Sequence, residues 1–284
     1  MGIALEPTTP AGRAGLAALL ADPAGAVLAF DFDGTLAPIV ADPEQARAHP
    51  GAAPALARLA PLTRALAVVT GRPALGAVRL GGFDRHPGLG GLVVLGHYGA
   101  EHWDGATGKL TAPPPPPGVA AVRAELPGLL AGLAAPAGTA IEDKERSLAV
   151  HTRRTAEPDA ALARLRGPLA ELAARHGLVV EPGRMVLELR PPGVDKGAAL
   201  TGLLAERGAR AVLYAGDDLG DLAAFAAVER LRGEGLPALL VASGPVTGEP
   251  PVREVAERAD LVVPGPAGVV ELLEALAQEF SAAS

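Results

Sequence analysis

Two aspartates separated by one residue are the first feature of this sequence that suggests chemistry. Asp31 and Asp33 follow the apolar segment 26–30 and precede Gly34, which permits a tight turn. One carboxylate can attack phosphorus and divide a difficult hydrolysis into two easier steps, while a second serves as acid and base. Calcium loops also use such turns, but they close with a Glu at their twelfth position, where this chain has Asp42. The pair therefore predicts either an ordinary acidic turn or a nucleophile with its acid/base partner.

An attack of Asp31 on a phosphate brings two anions together, so the site needs cations and hydrogen-bond donors. At contact distance the repulsion amounts to several kcal/mol at an effective dielectric constant of about 20. An ammonium group is available at Lys196, which opens a predicted helix. A hydroxyl, exposed backbone N–H groups and a guanidinium group occur together in Thr70, Gly71 and Arg72. These residues predict a phosphate-binding site.

A cluster of acids completes the set of candidate site residues. Asp217, Asp218 and Asp221 lie within five positions of one another, directly after an apolar segment. Such a concentration of negative charge at the edge of a core favours a hard divalent cation. Each feature alone is more typical of a turn, a solvated lysine or a helix N-cap than of a site. Their combination, with every member after a predicted strand or at a predicted helix start, indicates an active site.

The elements that position these residues alternate between strand and helix. Short continuous apolar segments, typical of buried parallel strands, occur at 26–30, 65–69, 92–95 and 211–215. Helical patterns lie between them at 54–59, 196–206 and 222–228, and a further short helix is predicted at 13–20. Open α/β sheets bind ligands outside the carboxyl ends of their strands, and the candidate residues follow those ends. The sequence thus predicts the location of the site before its chemistry.

The pattern changes between residues 111 and 190. A polyproline spacer at 113–117 comes first. An αββαββ unit follows, with helices at 119–133 and 159–176 and strands at 139–143, 147–153, 178–181 and 185–190. We therefore predict an α/β protein: a Rossmann-like core with a parallel sheet, formed by residues 1–110 and 191–284, and an inserted α+β cap domain at 111–190.

Composition limits the classes of function. The net charge is −7, so no global basic field exists to hold nucleic acid or an anionic membrane. The sequence contains no Cys, which excludes disulfides, thiolate zinc sites and cysteine nucleophiles. The apolar N-terminal stretch is interrupted by Asp22 and Pro23 and fits neither a signal peptide nor a membrane span. We expect a cytoplasmic monomer that binds a small molecule and no nucleic acid or membrane.

Several longer motifs together resemble a known family. The order DFDGTL, VVTGRP, DKG and GDDLGD is similar to the four motifs of the haloacid dehalogenase-like phosphatases. The longer matches are DFDGTLAPI at 31–39, GHYGAE at 96–101, IEDKERSLAVHTR at 141–153, MVLELRP at 185–191 and KGAAL at 196–200. They resemble the trehalose-phosphatase family from about residue 25 to 275. The four core motifs are specific for the superfamily, and the cap motif is the more specific sign of this family.

The resemblance implies a role for each matched residue. Asp31 would be the nucleophile and Asp33 the general acid and base. Thr70 and Lys196 would bind the phosphate, with Gly71 and Arg72 beside them. The cofactor Mg²⁺ would be held by Asp31, the main-chain carbonyl of Asp33 and Asp217, with Asp218 and Asp221 nearby. Glu142, Lys144 and Glu188 would hydrogen-bond the sugar hydroxyls.

The chain departs from the family pattern in its last motif. The family usually continues with Thr-Asp-Glu, whereas Gly220 and Leu222 flank Asp221 here. All three aspartates are retained, so metal binding is expected to persist, although one hydroxyl and one acid are lost. Elsewhere, Glu101 matches the family pattern as a residue behind the site. We interpret Tyr98 and Trp103 as packing residues.

The expected activity is hydrolysis of trehalose 6-phosphate to trehalose and phosphate, the last step in making the disaccharide. The alternative among enzymes is a phosphatase for sucrose 6-phosphate or mannosyl-3-phosphoglycerate. The cap residues distinguish these substrates, because a second anionic group on the substrate would require additional Arg or Lys in the cap. A sugar phosphomutase shares the aspartate chemistry and is only weakly excluded. A silent sugar-phosphate-binding domain usually lacks a key acid, but Asp31, Asp33 and Asp217 are all present.

Overall fold

The computed structural model describes residues 5–40, 42–114, 116–183, 185–244 and 252–283. Pro115, part of the predicted polyproline spacer, lies outside these ranges. The chain forms two compact units, one of residues 1–112 and 195–284 and the other of residues 113–194. No helix in the described part of the chain is long and apolar enough to cross a membrane.

The first unit begins with alternating helices and strands. Its elements before residue 113 are α1 (Pro10–Ala21), β1 (Ala26–Phe30), α2 (Ala52–Leu59), β2 (Ala65–Val69), α3 (Ala74–Gly81), β3 (Leu92–Gly96), β4 (Glu101–Asp104) and β5 (Lys109–Thr111). α1 begins three residues before the predicted start because Thr9 caps it, with Oγ1 accepting a hydrogen bond from the N–H of Gly12 at 2.9 Å. Pro10 then occupies the first helical position, where its missing N–H has no cost.

The second unit has the predicted αββαββ order. Its elements are α4 (Pro117–Gly132), β6 (Ala140–Asp143), β7 (Leu148–His151), α5 (Pro158–Arg175), β8 (Val179–Gly183) and β9 (Val186–Arg190). The strands form an antiparallel sheet in the order β6-β7-β9-β8. Leu148, Val150 and Leu187 point to one face and join a buried apolar cluster with Val122 and Leu165 of the helices. Because side chains alternate along a strand, Glu142, Ala149 and Glu188 share the opposite face in one row across the sheet.

The chain then returns to the first unit. The remaining elements are α6 (Lys196–Arg207), β10 (Ala211–Gly216), α7 (Leu222–Gly233), β11 (Ala238–Gly244), α8 (Arg253–Ala256), β12 (Leu261–Pro264) and α9 (Gly265–Ala283). The large sheet has the order β12-β11-β10-β1-β2-β3-β4-β5. Its first six strands pair in parallel, and β4 and β5 extend the sheet antiparallel.

Both faces of the large sheet are covered, as a parallel sheet requires. Side chains of β1, β10 and β11 alternate between two apolar clusters, with Leu28 and Phe30 in one and Val27 and Ala29 in the other. α1, α2 and α9 contribute to the first cluster, and α6 and α7 contribute to the second. The predicted α/β fold with a parallel sheet is confirmed. β1 lies between β10 and β2, so its carboxyl end is flanked by parallel neighbours on both sides.

Candidate active site

Asp31 lies at the carboxyl end of β1. Its N–H donates to the carbonyl of Ala215 at 2.8 Å, so the sheet fixes its backbone. The side chain is 4% exposed, and Nζ of Lys196 lies 2.7 Å from its Oδ1. Lys196 is the first residue of α6, which Asp195 caps by accepting a hydrogen bond from the N–H of Ala198 at 2.8 Å. Two elements far apart in sequence thus place an ammonium group on a buried carboxylate.

Asp221 holds the loop after β10 with both carboxylate oxygens. Oδ1 accepts hydrogen bonds from Nζ of Lys196 at 2.7 Å and from Oη of Tyr214 at 2.6 Å. Oδ2 accepts from the N–H groups of Asp217 at 2.9 Å and Asp218 at 3.2 Å. The residue is fully buried, and these four donors satisfy it. Asp221 therefore fixes both the Lys196 ammonium and the backbone that carries the other two acids.

The electrostatics of the cluster follow from burial and mutual repulsion. Burial, only partly offset by Lys196, and repulsion by Asp221 hold the pKa of Asp31 well above its ordinary value. Burial and the neighbouring Asp218 act in the same direction on the pKa of Asp217. Burial disfavours the charge of Lys196, but Asp221 and Asp31 outweigh this effect and raise the pKa of the ammonium group. The carboxylates outnumber this ammonium, so the cluster favours an additional cation.

A divalent metal ion fits this cluster. Asp31, Asp217 and Asp221 each offer an oxygen, and these three atoms lie within 4.8 Å of one another. Oδ1 of Asp217 is buried and has no hydrogen-bond partner among the described residues. Gly34, with a φ of +76°, brings the turn after Asp31 so close that a methyl group there would lie 2.0 Å from Oδ2 of Asp217. Carboxylate oxygens in this arrangement are the ligands that Mg²⁺ prefers.

The residues predicted to hold the metal differ in how their oxygens are used. Asp31 and Asp217 suit a direct contact, whereas both oxygens of Asp221 already accept two hydrogen bonds each. Oδ1 of Asp218 accepts a hydrogen bond from the N–H of Gly220 at 2.8 Å. Metal contacts of Asp218 and of the Asp33 carbonyl stay predictions.

The segment Thr70 to Arg72 forms a turn beyond β2. Thr70 is 1% exposed, and its Oγ1 accepts a hydrogen bond from the N–H of Arg72 at 3.1 Å. Because the oxygen is used as an acceptor in the turn, the hydroxyl hydrogen is the donor that Thr70 can offer to a phosphoryl oxygen. The sheet order places β2 beside β1, so this turn and Asp31 lie at the same edge of the sheet.

Arg72 engages Asp33 with two hydrogen bonds. Its Nε lies 2.6 Å from Oδ2, and its Nη2 lies 2.7 Å from Oδ1, which is the bidentate arrangement typical of Arg and carboxylate. The guanidinium also lies 5.6 Å from the ring centroid of Phe32, which packs edge-on against Phe83. The structure therefore brings the candidate acid/base together with Arg72, and a contact of Arg72 with the substrate stays a prediction.

The predicted sugar-binding residues have polar partners within the second unit. Glu188, 5% exposed, accepts hydrogen bonds from Nζ of Lys144 at 3.0 Å and from Oγ of Ser147 at 2.6 Å. Glu142 lies 2.7 Å from Nε2 of His151. The three residues thus belong to two hydrogen-bonded groups, and Glu142 and Glu188 lie on the sheet face opposite the helices.

Sequence reasoning did not identify two residues of the site. Tyr214 is buried within β10 and reaches Asp221, and the apolar strand pattern gives no sign of its polar role. Ser243 at the end of β11 donates a hydrogen bond to the carbonyl of Gly34 at 2.7 Å. The segment Ala238 to Gly244 is fully buried and has the same apolar form as the predicted strands, so the same rule applied there would have indicated Ser243.

Known proteins resemble this chain in sequence and in fold. The trehalose-phosphatase family model matches residues 29–254. A trehalose-phosphate phosphatase of Mycobacterium avium is 34% identical over 232 residues, which cover 74% of this chain and 53% of that protein. The chain thus spans about half the length of the curated relatives it matches.

Two solved structures share the fold. The C-terminal domain of a trehalose-6-phosphate phosphatase of Candida albicans has a TM-score of 0.72 at 20% identity, covering 96% of this chain and 98% of that one. A haloacid dehalogenase-like hydrolase of Bacteroides thetaiotaomicron has a TM-score of 0.62 at 18% identity, covering 88% and 98%. These likenesses confirm the α/β fold that the sequence motifs implied.

Proposed function

Because the chain belongs to the trehalose-phosphatase family, we propose that it hydrolyses trehalose 6-phosphate to trehalose and inorganic phosphate. The observation that carries the proposal is Asp31, a buried carboxylate at the carboxyl end of the central strand, 2.7 Å from the Lys196 ammonium. A buried carboxylate in contact with a cation and close to further acids is the setting expected for an anionic nucleophile that must meet an anionic substrate.

In the first step an oxygen of Asp31 attacks phosphorus. The new bond joins that oxygen to phosphorus, the bond from phosphorus to the sugar oxygen breaks, and the sugar oxygen receives a proton from Asp33. In the second step water attacks the same phosphorus, Asp33 takes a proton from that water, and phosphate leaves with regeneration of the Asp31 carboxylate. Two steps with the same acid/base group return the enzyme to its starting state.

Arg72 orients Asp33 between these steps. Each oxygen of Asp33 accepts one hydrogen bond from the guanidinium, so its remaining lone pairs are available for the proton that is transferred. The cation–π contact with Phe32 holds Arg72 in place, so the carboxylate returns to a defined position.

The phosphoryl oxygens are held by Lys196, the Thr70 hydroxyl and the N–H groups of the turn at Gly71. Asp31 and Asp217 would hold Mg²⁺, with Asp221 keeping the loop of Asp217 in place. When bound, the ion would neutralise charge between the carboxylate and the phosphoryl group. The chain's own contribution is to keep these groups buried and aligned.

Glu142, Lys144 and Glu188 bind the sugar hydroxyls in this proposal. Charged groups that are already paired present both donors and acceptors to a neutral polyol. Arg190 of β9 lies 2.8 Å from Glu181 of β8, and Lys144, just after β6, lies 3.0 Å from Glu188. These two cations already have acidic partners, which favours an uncharged sugar over a substrate that carries a second anionic group, such as mannosyl-3-phosphoglycerate.

The test is phosphate release from a panel of sugar phosphates, with Mg²⁺ or with EDTA. We expect Mg²⁺-dependent release from trehalose 6-phosphate at least about 100-fold more efficient than from glucose 6-phosphate, equal to about 2.7 kcal/mol of selective transition-state binding. The variant Asp31→Asn keeps the shape of the site and should be inactive. Preference for sucrose 6-phosphate would retain the mechanism and refute the sugar assignment. Release that survives in Asp31→Asn would refute the mechanism, and a wild-type protein inactive on the whole panel would refute the enzymatic proposal.

A further inference from the structure

The segment between β3 and β4 has an unusual backbone. His97 and Tyr98 are consecutive, and both have left-handed φ angles, +47° and +59°. Residues with a Cβ rarely adopt this conformation, and two in succession persist only where the surroundings enforce it. Neither residue takes part in the chemical steps of the proposed reaction.

Hydrogen bonds tie this segment to the phosphate-binding turn. The N–H of Tyr98 donates to the carbonyl of Thr70 at 2.9 Å, and the N–H of His97 donates to the carbonyl of Arg72 at 2.8 Å. The carboxylate of Glu101, 5% exposed, accepts a hydrogen bond from the N–H of Ala74 at 2.7 Å. The left-handed backbone thus directs two successive N–H groups onto the turn, and Glu101 holds the start of α3 just beyond it.

The Tyr98 ring packs directly against Gly71. A methyl group on Gly71 would lie 2.8 Å from both Cζ and Oη of Tyr98. This distance is shorter than a van der Waals contact, so the methyl group would displace the ring or the turn. On the other side of the segment, a methyl group on Gly99 would lie 2.4 Å from Cβ of Ala199 in α6. The segment is therefore wedged between the turn that offers Thr70 and the helix that offers Lys196.

We propose that Tyr98 is a positioning residue for the phosphate-binding turn: its ring, held by the left-handed backbone, packs on Gly71 and fixes the direction of the turn's N–H and hydroxyl donors. This inference rests on the proposed function, since it deepens the role of the turn in binding the phosphoryl group. Tyr98 acts through Gly71 and makes no contact with phosphate itself. The packing role expected of Tyr98 from the sequence thereby acquires a functional consequence.

The experiment is a double-mutant cycle with Gly71→Ala, Tyr98→Ala and the double variant. The readout is the affinity of the Mg²⁺-loaded full chain for inorganic phosphate, measured by titration calorimetry, together with the melting temperature. Gly71→Ala should weaken phosphate binding about tenfold or more, because its methyl group collides with the ring. Removing the ring makes room for that methyl group, so the double variant should bind phosphate about fivefold or more tightly than Gly71→Ala alone, a coupling expected for residues in contact.

Two further variants distinguish a positioning role from a direct contact with phosphate and from a general effect of an added methyl group. Gly76→Ala adds the same methyl group in α3, where the nearest atom, Cβ of Pro73, is 3.9 Å away, and it should leave phosphate affinity unchanged. Tyr98→Phe keeps the ring and should retain phosphate affinity within about twofold of the wild-type value. If Tyr98→Phe loses as much affinity as Tyr98→Ala, the hydroxyl contacts phosphate directly and the positioning role is refuted.

The remaining outcomes also decide the question. Additive effects in the cycle, or a Tyr98→Ala protein with wild-type phosphate affinity, would overturn the proposal even if melting temperatures fall. A failure of Gly71→Ala to fold leaves the comparison of Tyr98→Ala with Tyr98→Phe as the test. A wild-type chain that binds phosphate but hydrolyses no sugar phosphate refutes the proposed function alone, whereas a wild-type chain that does not bind phosphate refutes this inference.

Discussion

Replacing Lys196 by Met removes the cation that lies between two buried acids. Nζ is 2.7 Å from Oδ1 of Asp31 and 2.7 Å from Oδ1 of Asp221, and none of the three side chains is more than 6% exposed. At an effective dielectric constant of about 20, each pair attracts by about 6 kcal/mol before desolvation is considered. Burial of the three charges offsets much of this attraction. The net change in the free energy of unfolding is therefore taken from the typical effect of removing one partner of a buried ion pair.

Removing one partner of a buried ion pair costs about 3–5 kcal/mol, because an uncompensated charge is left behind. We expect Lys196→Met to lower the free energy of unfolding of the first unit by that amount, which corresponds to a fall in melting temperature of roughly 6–20 °C. The pKa of Lys196 is raised in the folded protein, so its stabilising contribution is fully present below the pKa of an unfolded lysine and is lost only as the pH rises through the folded value. A measurement at pH 7 therefore records the full effect.

The matched control is Asp31→Asn, which removes one of the acids instead of the cation. Burial and repulsion by Asp221 raise the pKa of Asp31 in spite of Lys196. Asp31→Asn relieves both effects, and Lys196 keeps its ion pair with Asp221. Unfolding in urea with EDTA should show Asp31→Asn to be as stable as the wild type or more stable by up to about 2 kcal/mol, as is common for active-site charges. Both variants should be inactive, so stability alone distinguishes them. Equal destabilisation of the two, or a loss below about 1 kcal/mol for Lys196→Met, would refute this account of the cluster.

Two further outcomes follow from the structure. Arg72→Lys keeps the charge but loses the two parallel hydrogen bonds to Asp33. We expect kcat to fall about tenfold or more while the melting temperature stays close to that of the wild type. A changed KM with an unchanged kcat would mean that Arg72 serves substrate binding alone. Asp260→Ala removes a buried acceptor of hydrogen bonds from Arg232 at 2.5 Å and the N–H of Leu240 at 2.8 Å, and from the Thr9 hydroxyl. It should destabilise the protein by about 3–5 kcal/mol with kcat retained at temperatures where the variant is folded, and a loss of activity without a loss of stability would contradict its purely structural role.

The strands at the centre of the large sheet could be predicted because they are buried on both faces. AVLAF and ALAVV have the bounds predicted for them, Ala26–Phe30 and Ala65–Val69, since a continuous apolar segment that ends in a polar residue leaves little choice of boundary. β5 could not be found in this way. Its three residues, Lys109 to Thr111, are all exposed, so no apolar pattern marks it and only pairing with β4 makes it a strand.

The positions of the candidate site residues at the sheet edge could also be predicted, but their pairings could not. Asp33 and Arg72 are 39 positions apart, and Lys196 and Asp221 are 25 apart. Which carboxylate meets which cation depends on strand order and on rotamers, and the sequence pattern specifies neither. The left-handed backbone at His97 and Tyr98 was also hidden, because a positive φ is uncommon for any residue other than Gly and a Tyr gives no sign of it.

Gly220 and Leu222 replace the Thr and Glu that the family pattern has beside Asp221. The contacts of the five acids of the site show what this replacement changes. Asp221 accepts hydrogen bonds from Lys196, Tyr214 and the backbone of its own loop. None of these hydrogen bonds depends on the side chains at positions 220 and 222. At Gly220 the contribution is a backbone N–H, donated to Asp218 at 2.8 Å, which a Thr would also supply. Asp31 and Asp217 remain the pair with oxygens suited to a metal ion. The lost hydroxyl and acid therefore lie outside the contacts that hold Asp31 and Asp217. We expect the substitutions to alter the surroundings of the loop after β10 and to leave the geometry of the acidic cluster in place.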